Sequence, residues 1–128
     1  LALHVVVANA GLQAWSDSVR YWTTAAEDFP YDGWAHYYAG KALQHDRSTS
    51  RAIRTLEDSA TYLPDNHFVW ERLGDLYAKT GRCEQALDGY RRYVEAGGEL
   101  DETAVKRGQA CKAKLEDTTT TQPPETDE

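Results

Sequence analysis

Trp70, Leu73, Gly74 and Tyr77 stand at offsets 0, 3, 4 and 7 of the run WERLGDLY, which puts all four side chains on one helical face. The same alternation of apolar stripe and polar remainder predicts helices over 15–30, 33–46, 49–61, 67–80, 83–96 and about 102–116. Residues 1–10 read as one more helix, although their VVV run is β-branched and no cap precedes it. Asp32, Ser48, Asp65 or Asn66, and Asp101 sit where N-caps belong, and Gly81 where a helix ends. Ala52, Ile53, Leu56 and Ala60 make the inner face of the helix over 49–61, and Ala104, Gly108, Cys111 and Leu115 a narrow inner stripe on the last. A glycine inside a helix costs about 1 kcal/mol relative to alanine. Gly74 therefore predicts a close backbone approach that should recur.

It recurs at a fixed interval. The step from Gly40 to Gly74 equals the step from Gly74 to Gly108, and Ser18, Ala52 and Ala86 keep the same spacing. So do Trp22, Leu56 and Tyr90, and the pair Pro30 and Pro64. Four columns in one phase define an internal repeat of two helices per unit, with units over about 1–32, 33–66 and 67–100 and a terminal helix over 101–116.

Residues 67–100 resemble the tetratricopeptide repeat (TPR) family, whose pattern W-x2-L-G-x2-Y is met by Trp70, Leu73, Gly74 and Tyr77, with Ala86 and Tyr90 following in register. Residues 33–66 match through Gly40, Leu43, Ala52, Leu56 and Pro64, with His36 in place of the tryptophan. The first unit keeps Trp22, Ala25 and Pro30. The resemblance implies an all-α, TPR-type helix-turn-helix solenoid of about three and a half repeats (seven helices) over 1–117, followed by a tail over 118–128. It places Gly74 at a hairpin crossing, faced by Ala86 and flanked by Trp70, Tyr77 and Tyr90.

The family binds protein or peptide partners on the concave surface lined by its first helices. Here that surface would carry Trp34, Tyr37, Lys41, Phe68, Glu71, Asp75, Val105 and Gln109. Lys41 and Asp75 stand where the family's carboxylate clamp has asparagine, which argues against capture of peptide C-termini. An aromatic, mixed-charge groove suits an extended peptide or a helix. Trp34, Tyr37 and Tyr38 are equally open to packing between repeats.

A formal charge of −7 argues against nucleic-acid binding, which needs a basic face. Three of the acids lie in the last eleven residues, so the body carries about −4, ordinary for a soluble domain. The apolar run LALHVVVANAG is too short to span a bilayer, and no signal peptide is visible. The chain has no methionine, which fits a processed product or an excised fragment. His4, His36, His45 and His67 are scattered without metal-ligand spacing, and no Gly-rich phosphate loop exists. His36 is read as a hydrogen-bonded packing residue. No metal, cofactor or enzymatic activity is implied.

Cys83 opens one helix and Cys111 lies near the end of its antiparallel neighbour, so they form either a disulfide or two separate buried thiols. A disulfide would place the chain in an oxidising compartment: secreted, cell-surface or periplasmic. Thr118, Thr119, Thr120 and Thr121 precede Pro123 and Pro124 in a low-complexity acidic tail, which is expected to be disordered and resembles an O-glycosylated or linker stretch. Leu1, Leu3, Val5, Val6 and Val7 form an apolar end with no capping helix. Such an end and the tail favour a building block that stacks head-to-tail with copies of itself or a larger complex, into filaments. The alternative is a peptide-binding adaptor working through the groove.

Overall fold

Capping chemistry starts the helices. The computed structural model describes residues 17–121, in which α1 covers 17–28. There follow α2 (Gly33–His45), α3 (Thr49–Tyr62), α4 (His67–Lys79), α5 (Cys83–Glu95) and α6 (Glu102–Thr120). The Asp32 carboxylate accepts from the Trp34 and Ala35 amides, Asn66 from Phe68, and Asp101 from Ala104. Each fills part of the donor deficit of a helix start. Of the two candidates before α4, Asn66 is the cap. Ser48 occupies the cap position of α3 without a capping bond, its hydroxyl turned instead to Asp46 at 3.2 Å.

Three helices end in one way. The amides of Ser48, Arg82 and Gly98 reach back five residues to the carbonyls of Leu43, Tyr77 and Tyr93, with bonds spanning three residues from Arg47, Gly81 and Gly97 nested inside. This double closure requires a left-handed residue just past the helix. Gly81 (φ 76°) and Gly97 (φ 94°) supply it without strain, whereas the second unit uses Arg47 at φ 59°.

The architecture is the expected all-α solenoid. α2 pairs with α3 and α4 with α5 as antiparallel hairpins; α4 packs on α3, and α6 on α5 and α4. Six helices appear among the described residues, and the expected first one, over 1–10, lies outside them. α6 runs to Thr120, past the expected boundary at 117. Its last turn is made by threonines whose hydroxyls donate to carbonyls four residues back, from Thr118 to Lys114 (2.8 Å) through Thr121 to Asp117 (2.6 Å). Residues 122–128 are outside the description.

A continuous core threads α2 to α6, with Leu43, Ile53, Leu56, Val69 and Leu73 almost inaccessible. Burial of each stabilises by about 1.5–3 kcal/mol. α1 joins through a smaller cluster of Ala26, Ala35 and Ala39 with Trp22 and Ala25 against it. The units also share a polar joint. Trp70 Nε1 donates to the Pro64 carbonyl at 2.7 Å, and one period earlier His36 Nε2 meets the Pro30 carbonyl at 2.9 Å. A carbonyl only accepts, so His36 carries its proton on Nε2 and replaces the tryptophan function for function.

The glycine column divides. A Cβ on Gly40 would lie 2.6 Å from Leu56, and one on Gly74 2.8 Å from the Tyr90 ring. The residue over Gly74 is thus Tyr90, with Gly89 backing it: a Cβ on Gly89 would lie 3.0 Å from Gly74 Cα. Ala86, expected to face Gly74, is fully buried but is not among its nearest neighbours. Gly108 has no such constraint, since a Cβ there meets Tyr90 only at 3.8 Å. Gly74→Ala should therefore destabilise by about 1–3 kcal/mol through overpacking. Gly108→Ala should stabilise by about 0.5–1 kcal/mol through helix propensity. Urea midpoints that moved the same way for both would contradict this division.

Candidate functional site

The first helices α2, α4 and α6 carry the expected groove residues, and two of the eight are engaged in contacts between helices. Tyr37 is only 7% exposed. Arg72 Nε donates to its hydroxyl at 3.1 Å, and Arg72 Nη1 donates to Gln44 at 3.0 Å. Tyr37 thus joins α2 to α4 instead of facing a ligand. Asp75 is half-buried, accepting from the Tyr90 hydroxyl at 2.8 Å and pairing with Arg107 at 2.8 Å. It ties α4, α5 and α6 together. The physical reason is the same in both cases: a buried hydroxyl or carboxylate must find a partner, and the neighbouring helix supplies it.

The other six stay accessible. Trp34, Phe68 and Val105 are exposed apolar side chains on α2, α4 and α6, and Lys41, Glu71 and Gln109 are exposed polar ones. The rings around Trp34 are ordered by one another. Tyr38 stacks on Trp22 at 4.6 Å between centroids and on Trp34 at 6.1 Å, while Trp34 meets Tyr37 edge-on at 5.6 Å. Stacked and edge-to-face rings at these separations contribute about 0.5–1.5 kcal/mol per pair beyond their buried area. Tyr38 and Arg72 were missing from the expected site. They share one column of the repeat in successive units, and that period was the signal that could have found them.

Two phenols bridge successive helices. Tyr77 of α4 donates to Glu57 of α3 at 2.5 Å, and Tyr90 of α5 to Asp75 of α4. Burial, then the bond to the carboxylate and its negative charge, push both hydroxyls well above their ordinary value of 10.0. Among the described residues no group of three or more His, Cys, Asp or Glu side chains is placed to hold a metal ion. Nor is any described helix long and apolar enough to cross a membrane.

Cys83 and Cys111 are joined in a disulfide, with their Cα atoms 4.8 Å apart. Cys83 is the first residue of α5, and the bond fastens the start of that helix to the middle of α6, since α6 runs on past the end expected for it. Thr118–Thr120 close α6 and Thr121 caps it. The proposed assembly end (Leu1, Leu3, Val5, Val6 and Val7) lies outside the described residues.

No family model matches the sequence. No curated protein matches it either. Among solved structures, the crystal structure of the Sgt2 TPR domain from Aspergillus fumigatus is similar, with a TM-score of 0.67 and 20% identity. The match covers 94% of this chain and 82% of that one. At that identity the likeness is one of fold, and the chain has a TPR-like fold.

Two outcomes follow from this geometry. Because folding raises both tyrosine pKa values, the stability they contribute is complete below pH 10 and is lost as pH climbs towards their folded values. Denaturation midpoints should fall above pH 10, and Tyr77→Phe with Tyr90→Phe should flatten that fall; an unchanged slope would contradict it. Reduction of the Cys83–Cys111 bond, whose partners are 28 residues apart, should lower stability by about 3.6 kcal/mol on the chain-entropy model. Urea unfolding with and without a dithiol reads this directly.

Proposed function

We propose that the chain is a non-catalytic protein-interaction module that holds an extended segment or a helix of a partner protein along its concave face. The observation that carries this reading is the pairing of exposure with mutual stacking at Trp34 and Tyr38, with Phe68 exposed on the next first helix. Aromatic anchors held in place by stacking lose little conformational entropy on binding, which is why such residues dominate interface energetics. Lys41, Glu71 and Gln109 add exposed polar side chains on α2, α4 and α6. The polar groups of the inner groove, Tyr37, Asp75 and Arg107, are engaged in structural contacts, which favours binding over catalysis as the role of this face. The disulfide supports an oxidising compartment: secreted, cell-surface or periplasmic.

The test is selection of peptides from a displayed library on the intact protein, followed by titration against variants. Trp34→Ala and Phe68→Ala should each weaken the selected peptides by about tenfold or more. Val94→Ala, at an exposed position of α5, should leave them unchanged. Equal binding to all three variants would remove the groove from consideration. The alternative, a building block stacking with its own copies, rests on Leu1–Val7 and the tail. Light scattering over a concentration series separates the two readings: self-association that persists in the double groove variant belongs to the ends.

A further inference from the structure

α6 carries little of the core that its sister helix α4 carries. Counting one repeat on, Val69, Leu73, Leu76 and Tyr77 of α4 correspond to Thr103, Arg107, Ala110 and Cys111 of α6. All four residues of α4 are buried, Val69 and Leu73 at 0% exposure. On α6, Thr103 and Ala110 are exposed and Arg107 is half-buried. Only Cys111 of that column goes inside, and it is the residue bonded to Cys83. The column has lost its large apolar side chains, and the disulfide stands at its last place.

Little else holds α6 to its neighbours. Ala104 is buried, and Leu115 packs against the core from a partly covered position. In the Arg107–Asp75 pair the side chains are 31% and 29% exposed, and pairs so open to water contribute little. Past Cys111 a cavity of about 500 Å³ opens between the helices, with Arg82, Cys83 and Gln85 on one side and Lys114, Leu115 and Thr118 on the other. That part of α6 is loosely packed on α5, and solvent reaches the wall to which Cys83 belongs.

We infer that the Cys83–Cys111 bond is a redox-sensitive latch on α6, and that a dithiol reductant opens one wall of the groove by breaking it. One thiolate of the dithiol attacks a sulfur of the bond, and the other cysteine leaves as a thiolate that takes up a proton. The second thiol of the reductant then displaces the remaining cysteine from the mixed disulfide. Two electrons pass to the protein, the reductant becomes a disulfide, and Cys83 and Cys111 become thiols. Most of a helix's stability comes from packing an apolar face, which α6 largely lacks. Gly108 and Thr118–Thr120 lower its own propensity further. α6 then detaches as a unit, whereas the core through Leu43, Ile53, Leu56, Val69 and Leu73 stays closed. Val105 and Gln109 leave with it, and Asp75 loses its guanidinium partner. The effect on a bound peptide rests on the groove reading above; the release of α6 does not.

The experiment is amide hydrogen exchange on the intact chain in three forms: oxidised, reduced with a dithiol, and carrying Cys83→Ser with Cys111→Ser. Amides over 105–117, protected in the oxidised chain, should come within about tenfold of unprotected rates in both bond-free forms. The amides of α2, α3 and α4 should stay protected, and reoxidation of the wild type should restore α6. Equal protection of α6 in oxidised and bond-free forms would overturn the inference. Protection lost from α2, α3 and α4 together with α6 would also overturn it, since the bond would then serve the whole fold. A cysteine-free peptide selected on the oxidised protein gives the second readout: reduction should weaken it by about tenfold or more, reversibly. Peptide held as tightly while α6 exchanges freely would overturn the opening of the groove. If Trp34→Ala and Phe68→Ala leave peptide binding unchanged, the groove reading fails, and exchange alone decides the latch.

Discussion

The close crossing of the two helices within each hairpin is the constraint from which the rest follows. With hydrogen alone at Gly40 and Gly74, the Leu56 side chain and the Tyr90 ring lie directly on the facing backbone. That contact fixes the separation of the helices, and the separation decides which side chains fit between them. Leu43, Leu73 and Val69 fill what remains at almost complete burial. Interiors packed this densely have little slack, so the helical propensity forgone at the two glycines is recovered as contact area.

Tight packing then dictates the polar chemistry. Tyr37, Tyr77 and Tyr90 bring phenolic oxygens into the seams between helices, and each must be satisfied there. Arg72 serves the first, Glu57 the second, and Asp75 with Arg107 the third. Each partner comes from another helix, so each bond also sets the orientation of one helix on the next. The same bonds withdraw Tyr37 and Asp75 from the groove. What stays accessible on α2 and α4 is the outer layer of Trp34, Tyr38 and Phe68.

The fold was legible because periodicity repeats. Gly40, Gly74 and the Pro30/Pro64 pair keep one phase, and helix boundaries agree with it to within one or two residues everywhere except the end of α6. That end was missed because 118–128 reads as one low-complexity acidic tail with two prolines, while the threonine hydroxyls at its start fold back onto carbonyls of their own helix. The proposed groove was half legible. A position in the repeat says which helix face a residue occupies, but not whether a neighbouring arginine will capture it. Tyr37 and Trp34 differ by one turn of helix, yet Tyr37 is drawn into the core and bonded by Arg72 while Trp34 stays exposed. Gly108 shows the converse: it shares a column with Gly40 and Gly74, yet nothing approaches it closely.

α6 shows how a helix with little apolar surface is held to its neighbours. α6 is 19 residues long, yet it buries only Ala104 and Cys111, with Leu115 partly covered. Two small residues supply little hydrophobic area, of the order of a single large side chain. Asp101 and the Arg107–Asp75 pair hold its first two turns, and both are too near solvent to hold the rest. The disulfide acts where these contacts run out, at Cys111, and the α5 residue it reaches is Cys83, at the rim of the core. A covalent bond thus fastens α6 to α5 where its apolar contact with the core thins. The same reasoning explains why Leu115, one turn past that bond, is the last apolar contact α6 makes with the core before its threonine-lined end.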